Sequence, residues 1–397
     1  MDHPESTTLE SVLAQVPDPR KRRGKRHAWT LLWTTICTAL LSEQRTPHAI
    51  AHWIRLHAEE LIARLQPARH QVPSESTVRR ALRHIDLTAL EQQLTQFSQH
   101  LPPPSAPEAP PPPPVPHVPS VPAAPVRLRG LAVDGKAVRG AGMHGPRPHL
   151  VSLVEHSSAR VLAQRAVVDK RHESSAVGPL LQGHDLVGCV ITMDAGLTQR
   201  KLATQILAQG GQYLMVVKRN QRQLYDDLAL FFQRPPLPCE APWDVVQTVT
   251  KGHGRLETRC LPCTAELDDY LTWPGVQQVL RRECERIVLK TGAVTRSVTY
   301  GLTSLAPRAA TPAQVEGVWR GHWTIENRTH SVRDVTMGED AGQASRGSTP
   351  QALAALRNAL LTLLRWRGWT NIADALRTYA ASLAEALKLI GALPAGL

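Results

Sequence analysis

Between residues 102 and 125 the chain reads PPPSAPEAPPPPPVPHVPSVPAAP, 13 of its 32 prolines in 24 positions. Proline fixes φ and has no N–H to donate, so such a run can enter neither a helix interior nor the middle of a sheet. It also carries almost no large side chain to bury. The run therefore predicts a semi-rigid polyproline II spacer. It sets the expected organisation: a domain over 1–101, a linker over 102–126 and a larger domain over 127–397. With 397 residues, 42% of them hydrophobic, there is material for two or three cores.

Several function classes drop out early. No stretch reaches the roughly 18 consecutive apolar residues a spanning helix needs; the longest near-candidate, Leu31 to Leu41, is short and interrupted by Thr and Cys. No membrane partner is expected. Residues Met1 to Gln15 carry acids rather than a basic start followed by an apolar stretch, so the sequence reads as cytoplasmic rather than secreted. Six scattered cysteines fit free thiols. Cys260 and Cys263 form one C-x-x-C with no second pair at finger spacing, which favours ordinary strand residues over a zinc site. The 46 Lys+Arg exceed the 34 Asp+Glu by a formal +12, which favours a polyanionic partner.

The first 101 residues read as helices. Thr46 and Pro47 form a cap and first-turn proline, and Ile50, Ile54, Leu61 and Leu65 then recur at helical spacing. A second helix begins near Ser74, with Val78, Leu82 and Ile85 on one face and Arg79, Arg80 and Arg83 on the other. That basic face fits a DNA groove, as in a helix-turn-helix, and equally fits a solvated surface. Ahead of it stand Arg20, Lys21, Arg22, Arg23, Lys25 and Arg26, six cations in seven residues, dense enough for a phosphate-contacting arm.

Beyond the linker the periodicity changes to short Val-, Leu- and Ile-rich runs: Leu128 to Val133, His149 to Glu155, Val161 to Val168, Leu186 to Met193 and Tyr213 to Lys218. A helix over Thr198 to Gln209 separates the last two, predicting an α/β layer with a mixed sheet. Residues 221–305 read as a strand-rich insertion. Helices return from Thr311 and fill 350–397.

Three acids stand where chemistry would want them. Asp134 follows Leu131-Ala-Val133 and precedes Gly135; Asp194 follows Val190-Ile-Thr-Met193 and precedes Ala195-Gly196. Acids at the ends of two strands of one sheet can meet at its edge, although Asp after a strand is also a common turn former. Glu326 lies on a helical segment where Trp319, His322, Glu326 and Arg333 fall at steps of three, four and seven, predicting one stripe.

These residues carry a likeness to a known family. Leu131-Ala-Val-Asp-Gly-Lys136 with Arg139-Gly140, Ile191-Thr-Met-Asp-Ala195 with Thr198-Gln199, Lys218-Arg-Asn-Gln221, Gly252-His-Gly-Arg-Leu-Glu-Thr-Arg259, and Arg320-Gly-His-Trp-Thr-Ile-Glu-Asn327 leading to Asp334 and Glu339-Asp340 occur in that order. Together they resemble the DDE transposases of bacterial insertion sequences, in particular the ISAs-type or H-repeat-associated group. Pro17 to Arg26 and Pro73 to Thr77 resemble that group's associated helical domain. The resemblance implies an RNase H-like catalytic fold with a β-rich insertion and the triad Asp134, Asp194 and Glu326. The related signature Tyr-x2-Arg-x3-Glu-x6-Lys falls on Trp319, His322, Glu326 and Arg333, so His322 replaces an arginine. Thr329-His-Ser-Val-Arg-Asp334 also departs from the family's usual Leu-His-Trp-x-Leu-Asp run.

The implied chemistry is phosphodiester cleavage at the element's ends, followed by attack of the freed 3′-hydroxyl on target DNA. Two divalent ions roughly 3.5 to 4 Å apart suit it, and hard cations prefer carboxylate oxygens. Two Mg²⁺ ions, with Mn²⁺ as a substitute, are expected on the three acids, Asp134 bridging. Lys218, His253, Arg255, Arg259, Arg320, His322 and Arg333 are the expected DNA contacts around the site. Glu339 and Asp340 rank below Glu326 as third ligand, because Gly338 is expected to end the helix. The expected partner is double-stranded DNA, held by at least a homodimer when two ends are brought together at the nucleoid. The alternative reading is a catalytically inactive, transposase-derived DNA-binding protein.

Overall fold

The computed structural model describes residues 7–21, 25–102, 128–141, 147–234 and 243–394. The expected polyproline spacer, Arg22, Arg23 and Cys239 lie outside the described residues. Six helices come first: α1 (Leu9–Ala14), α2 (Trp29–Leu41), α3 (Pro47–Leu56), α4 (Ala58–Leu65), α5 (Glu75–His84) and α6 (Leu87–His100). Strands β1 (Arg129–Ala137), β2 (His149–Glu155) and β3 (Val161–Val167) follow, then α7 (Glu173–Leu181), β4 (Cys189–Met193), α8 (Arg200–Ala208), β5 (Gln212–Val217) and α9 (Arg222–Gln233). Four longer strands, β6 (Asp244–Gly252), β7 (Arg255–Thr264), β8 (Gln278–Val288) and β9 (Val294–Thr303), lead into α10 (Pro312–Gly321). A π-helical stretch over Ile325–His330 and Val332–Thr336 precedes α11 (Thr349–Trp366), α12 (Ile372–Ala381) and α13 (Leu383–Ile390).

The chain forms two compact units, one of Glu108–Asp134 and Val177–Trp323, the other of Met1–Pro107, Gly135–Ala176 and Thr324–Leu397. In the first unit the sheet is mixed. β1, β4 and β5 run parallel, β9 joins β5 antiparallel, and β8, β7 and β6 continue as an antiparallel meander. The β6–β7 turn is tight because His253 and Gly254 both take positive φ, 48° and 71°, the geometry whose twist matches a hairpin. Helix α10 starts with a capping box, Thr311 and Gln314 exchanging bonds with each other's backbone, and has Pro312 in its first turn. Its Val315, Val318 and Trp319 bury against Leu214, Val216, Leu261 and Leu280. A bidentate ion pair, Arg282 Nε and Nη2 to Glu316 at 2.9 and 2.8 Å, fastens α10 to β8, and the same guanidinium lies over the rings of Trp319 and Trp323.

In the second unit one core joins both ends of the sequence. Trp33, Ile36, Ile50, Ile54, Leu61, Val78, Leu82, Leu90 and Phe97 of the first six helices pack with Leu353, Leu356, Leu360, Leu376 and Leu387 from α11 to α13. α11 is buried along nearly its whole length, its polar Arg357, Asn358 and Thr362 included. The β2–β3 hairpin docks through Thr362, whose hydroxyl donates to the Val161 carbonyl and accepts from the Val161 N–H.

The expected helix through Leu65 is broken at His57, whose backbone leaves helical geometry while its ring stacks on Trp53 at 4.3 Å. Helix α9, with Leu228, Phe231 and Phe232 buried, was not expected inside 221–305. The Leu31–Leu41 run is core helix, and among the described residues no helix is long and apolar enough to cross a membrane. The five described cysteines are free, Cys260 and Cys263 sitting on β7.

Candidate active site

Two of the three acids belong to the first unit, and the sheet register places them. On parallel neighbours β1 and β4, Val133 stands opposite Met193; Asp134 and Asp194 are the next residues on each. Adjacent strands lie about 4.8 Å apart, and laterally paired residues project to the same face. Asp194 thus directly follows β4, while Asp134 stands within β1, and each lies one residue past the last pair that these parallel neighbours make, on the side where open α/β sheets place ligands. Both are half-buried.

Lys218, just past β5, donates from Nζ to Asp194 Oδ1 at 2.9 Å. Burial pushes the Asp194 carboxyl up, but the Lys218 ammonium and the Ala195 N–H outweigh it and hold the group below the usual carboxylate value. Two of the matched sequence blocks meet here. Asn220 Nδ2 donates to the Ala195 carbonyl at 2.8 Å, Gln221 donates to the Thr198 carbonyl, and Thr198 Oγ1 donates to the Val216 carbonyl at 2.6 Å. These bonds fix the turn that carries Asp194.

His322, directly after α10, is 94% buried, and its Nδ1 lies 3.0 Å from Thr192 Oγ1 in β4. Burial drives its pKa down to about 4, against the opposing pull of Asp194 and the Thr192 carbonyl, so the ring is neutral at physiological pH. Its expected contact with DNA is corrected accordingly: the imidazole is buried against Thr192 of β4. Arg259 is also corrected; it is buried in β7 and committed to Glu257 and Thr250. Arg320, His253 and Arg255 are exposed, as a phosphate contact requires.

In the second unit Glu326 is exposed on the π-helical stretch. Hydrogen bonds of i to i+5 widen the helix there, a local form often found at functional sites. The single stripe expected for Trp319, His322, Glu326 and Arg333 is therefore corrected, since α10 ends at Gly321 and the following turns follow a different period. Arg333 is wholly buried. It pairs with Glu339 at 2.6 Å and donates to Asn358 Oδ1, while Arg357 stands 3.5 Å from Glu339. No phosphate can reach it, and Glu339 is occupied as a structural counter-ion.

The residues around Gly135 explain further matched blocks. Lys136 Nζ lies 2.5 Å from Asp334, and Arg139 stands 4.0 Å from Asp340. Gly140 approaches the backbone so closely that a Cβ there would overlap the carbonyl oxygens of Gly342 and Glu339. Sequence reasoning gave Lys136, Asp334 and Thr192 no role, yet opposite charges in two matched blocks were the available signal.

At the N-terminus, Arg20 is corrected. It grips Asp18 through Nε and Nη2 at 2.9 and 3.0 Å, donates to the His27 carbonyl and lies over Trp29. Lys21, Lys25 and Arg26 are exposed. So are Arg79, Arg80 and Arg83, opposite buried Val78, Ala81 and Leu82; Arg79 pairs with Glu75. Among the described residues of either unit, no three His, Cys, Asp or Glu side chains gather closely enough to hold a metal ion. The donor chemistry of the two aspartates, hard carboxylate oxygens, nonetheless fits a divalent cation such as Mg²⁺.

A mixed sheet flanked by helices, with an aspartate on each of two parallel neighbours, fits the DDE transposase family. The chain belongs to that family: the model described as "Transposase DDE domain" matches residues 126–363, and "DDE_Tnp_1-associated" matches residues 10–98. The two matches fall on either side of the proline run. Among its relatives, "Putative transposase YncI" of Escherichia coli O157:H7 is 25% identical over 90% of this chain and 87% of its own length. An uncharacterised protein in the dhlA 3′ region of Xanthobacter autotrophicus is 29% identical over 68% of this chain and 86% of its own. "H repeat-associated putative transposase YhhI" of Escherichia coli K12 is 28% identical over 59% and 63%.

Proposed function

We propose that the chain is an insertion-sequence transposase with an RNase H-like catalytic domain. It cuts phosphodiester bonds at the element's ends and transfers the freed 3′-hydroxyl to target DNA, with Asp134, Asp194 and Glu326 as its carboxylates. The observation that supports this most is the β1–β4 register, which places Asp134 and Asp194 each one residue past the last pair of two parallel neighbours. Bound magnesium would supply Lewis acidity and an activated oxygen nucleophile, and the three acids are the residues that would hold it.

The chain's own groups then have distinct tasks. Lys218 keeps Asp194 ionised and, being exposed, can turn to a non-bridging phosphate oxygen when the carboxylate is otherwise engaged. His322 stays neutral and packs against β4 through Thr192 without adding charge. Arg255, His253 and Arg320, with Lys21, Lys25, Arg26, Arg79, Arg80 and Arg83 before the linker, are proposed to hold the duplex. Joining two ends calls for at least two copies. The proposed setting is the bacterial cytoplasm, on the nucleoid.

The test is an incubation of the protein with Mg²⁺ and DNA bearing its element's ends, resolved on a denaturing gel. Nicks at the ends, absent with Asp194→Ala, are the expected result. Tight end binding with no cleavage, indifferent to metal and to Asp134→Ala, would instead establish the inactive DNA-binding alternative.

A further inference from the structure

Within the second unit, a cavity of about 340 Å³ opens between α1, the start of α2, the end of α4 and the segment that follows it. Arg26, His27, Arg64 and Arg69 line it together with Glu10 and Thr34. The guanidiniums differ in their commitments. Arg64 is paired with Glu60 at 2.9 Å. Arg26 and Arg69 are exposed and have no carboxylate partner among the described residues. Surface cations normally sit near acids, and two unpaired ones facing one concavity make a ready anion site. His27 stands among these cations: burial lowers its pKa first, and Arg20, Arg69 and Arg26 lower it further, against a hydrogen bond to the Gln71 backbone that raises it.

Glu10 lines the same cavity. Glu10 accepts a hydrogen bond from Thr34 Oγ1 at 2.8 Å, which leaves the carboxylate with further acceptor positions. The segment after α4 holds its shape through two non-glycine residues in the left-handed region, Gln66 at φ 44° and His70 at φ 49°. Gln66 does so as the left-handed cap of α4, its N–H donating to the Ile62 carbonyl. A site lined by unpaired guanidiniums and a carboxylate suits neither a bare anion nor an apolar molecule. It suits a unit that is anionic at one end and offers N–H groups at the other.

We propose that this cavity receives one unpaired nucleotide of bound DNA, its phosphate on Arg26 and Arg69 and its base directed to Glu10. Guanine, with adjacent N–H groups on its Watson–Crick edge, matches the carboxylate best. The inference rests on the DNA-binding reading above and adds to it a pocket that recognises a nucleotide outside the helical stack.

The test compares a short labelled duplex containing one unpaired guanosine with the same duplex fully paired, by anisotropy over a range of salt. The wild type should bind the first about tenfold more tightly. Arg26→Gln with Arg69→Gln should abolish that preference and reduce the salt slope by about two counterions. Glu10→Gln should abolish the preference while keeping the slope. Circular dichroism on each variant confirms that it is folded. Equal binding of the two duplexes by the wild type, or a preference and slope that survive in the double arginine variant, overturns the proposal. Failure of the wild type to bind either duplex overturns the DNA-binding reading itself, and this one with it.

Discussion

At the scale of single residues, the electrostatics around Asp194 are set by two neighbours of opposite behaviour. Lys218 is charged and exposed, and stabilises the carboxylate; His322 is buried and neutral. Replacing Lys218 by Met leaves burial to act on Asp194 with one opposing charge removed, so its pKa should rise. An NMR titration of the carboxyl carbon, or the acid limb of a cleavage profile moving to higher pH, would show it; an unmoved limb would contradict the pairing. His322 provides a separate test. The unfolded chain binds its proton near 6.5, whereas the folded ring does so at about 4. Between those values the unfolded state holds more protons, so the stability is full above about pH 6.5 and falls as pH drops toward 4. Wild type should lose about 2 kcal/mol more than His322→Gln between pH 7 and pH 5, measured as urea unfolding in chelator. Parallel losses would show that the ring is not buried neutral.

At the scale of elements, the placement of α10 depends on a charge pair that water does not reach. Removing one partner of a buried ion pair leaves the other uncompensated, at a cost of about 3–5 kcal/mol; Glu316→Ala should therefore destabilise the protein by that order in a denaturant melt. A change below about 1 kcal/mol would place the pair in solvent. This scale also shows how much the sequence made legible. Strands β1 to β5 follow period and turn residues, and the Thr46-Pro47 and Thr311-Pro312 starts are written in their capping chemistry. Asp194 was legible because a carboxylate placed just after an apolar run and before Ala-Gly marks a strand end; the same cue at Asp134-Gly135 marks the end of the pairing with β4 but not of β1, which runs on to Ala137. Arg333 was misread, because helical spacing assumes an unbroken α-helix and the chain widens into π turns before reaching it. Arg20 and Arg259 were misread for another reason: composition counts cations without saying which already have an acid, Asp18 or Glu257, beside them.

At the scale of the whole molecule, the proline run separates two matched sequence regions, but it does not separate two cores. Helices α1 to α6 share their apolar interior with α11 to α13, an arrangement that no local period announces because the partners stand more than 250 positions apart in sequence. A fragment of residues 1–101 alone should accordingly expose the apolar faces of α2 and α5, bind a hydrophobic dye and melt without a cooperative transition. A sharp two-state melt of that fragment would show that it supplies its own core.

The central claim is that Asp134, Asp194 and Glu326 jointly hold divalent metal on DNA. Manganese binding followed by electron paramagnetic resonance, in the presence of DNA carrying the element's ends, tests it most directly. The account predicts saturable binding by the wild type and a loss of about tenfold or more in affinity on replacing any one of the three acids by alanine. Unchanged manganese affinity in all three variants would contradict it.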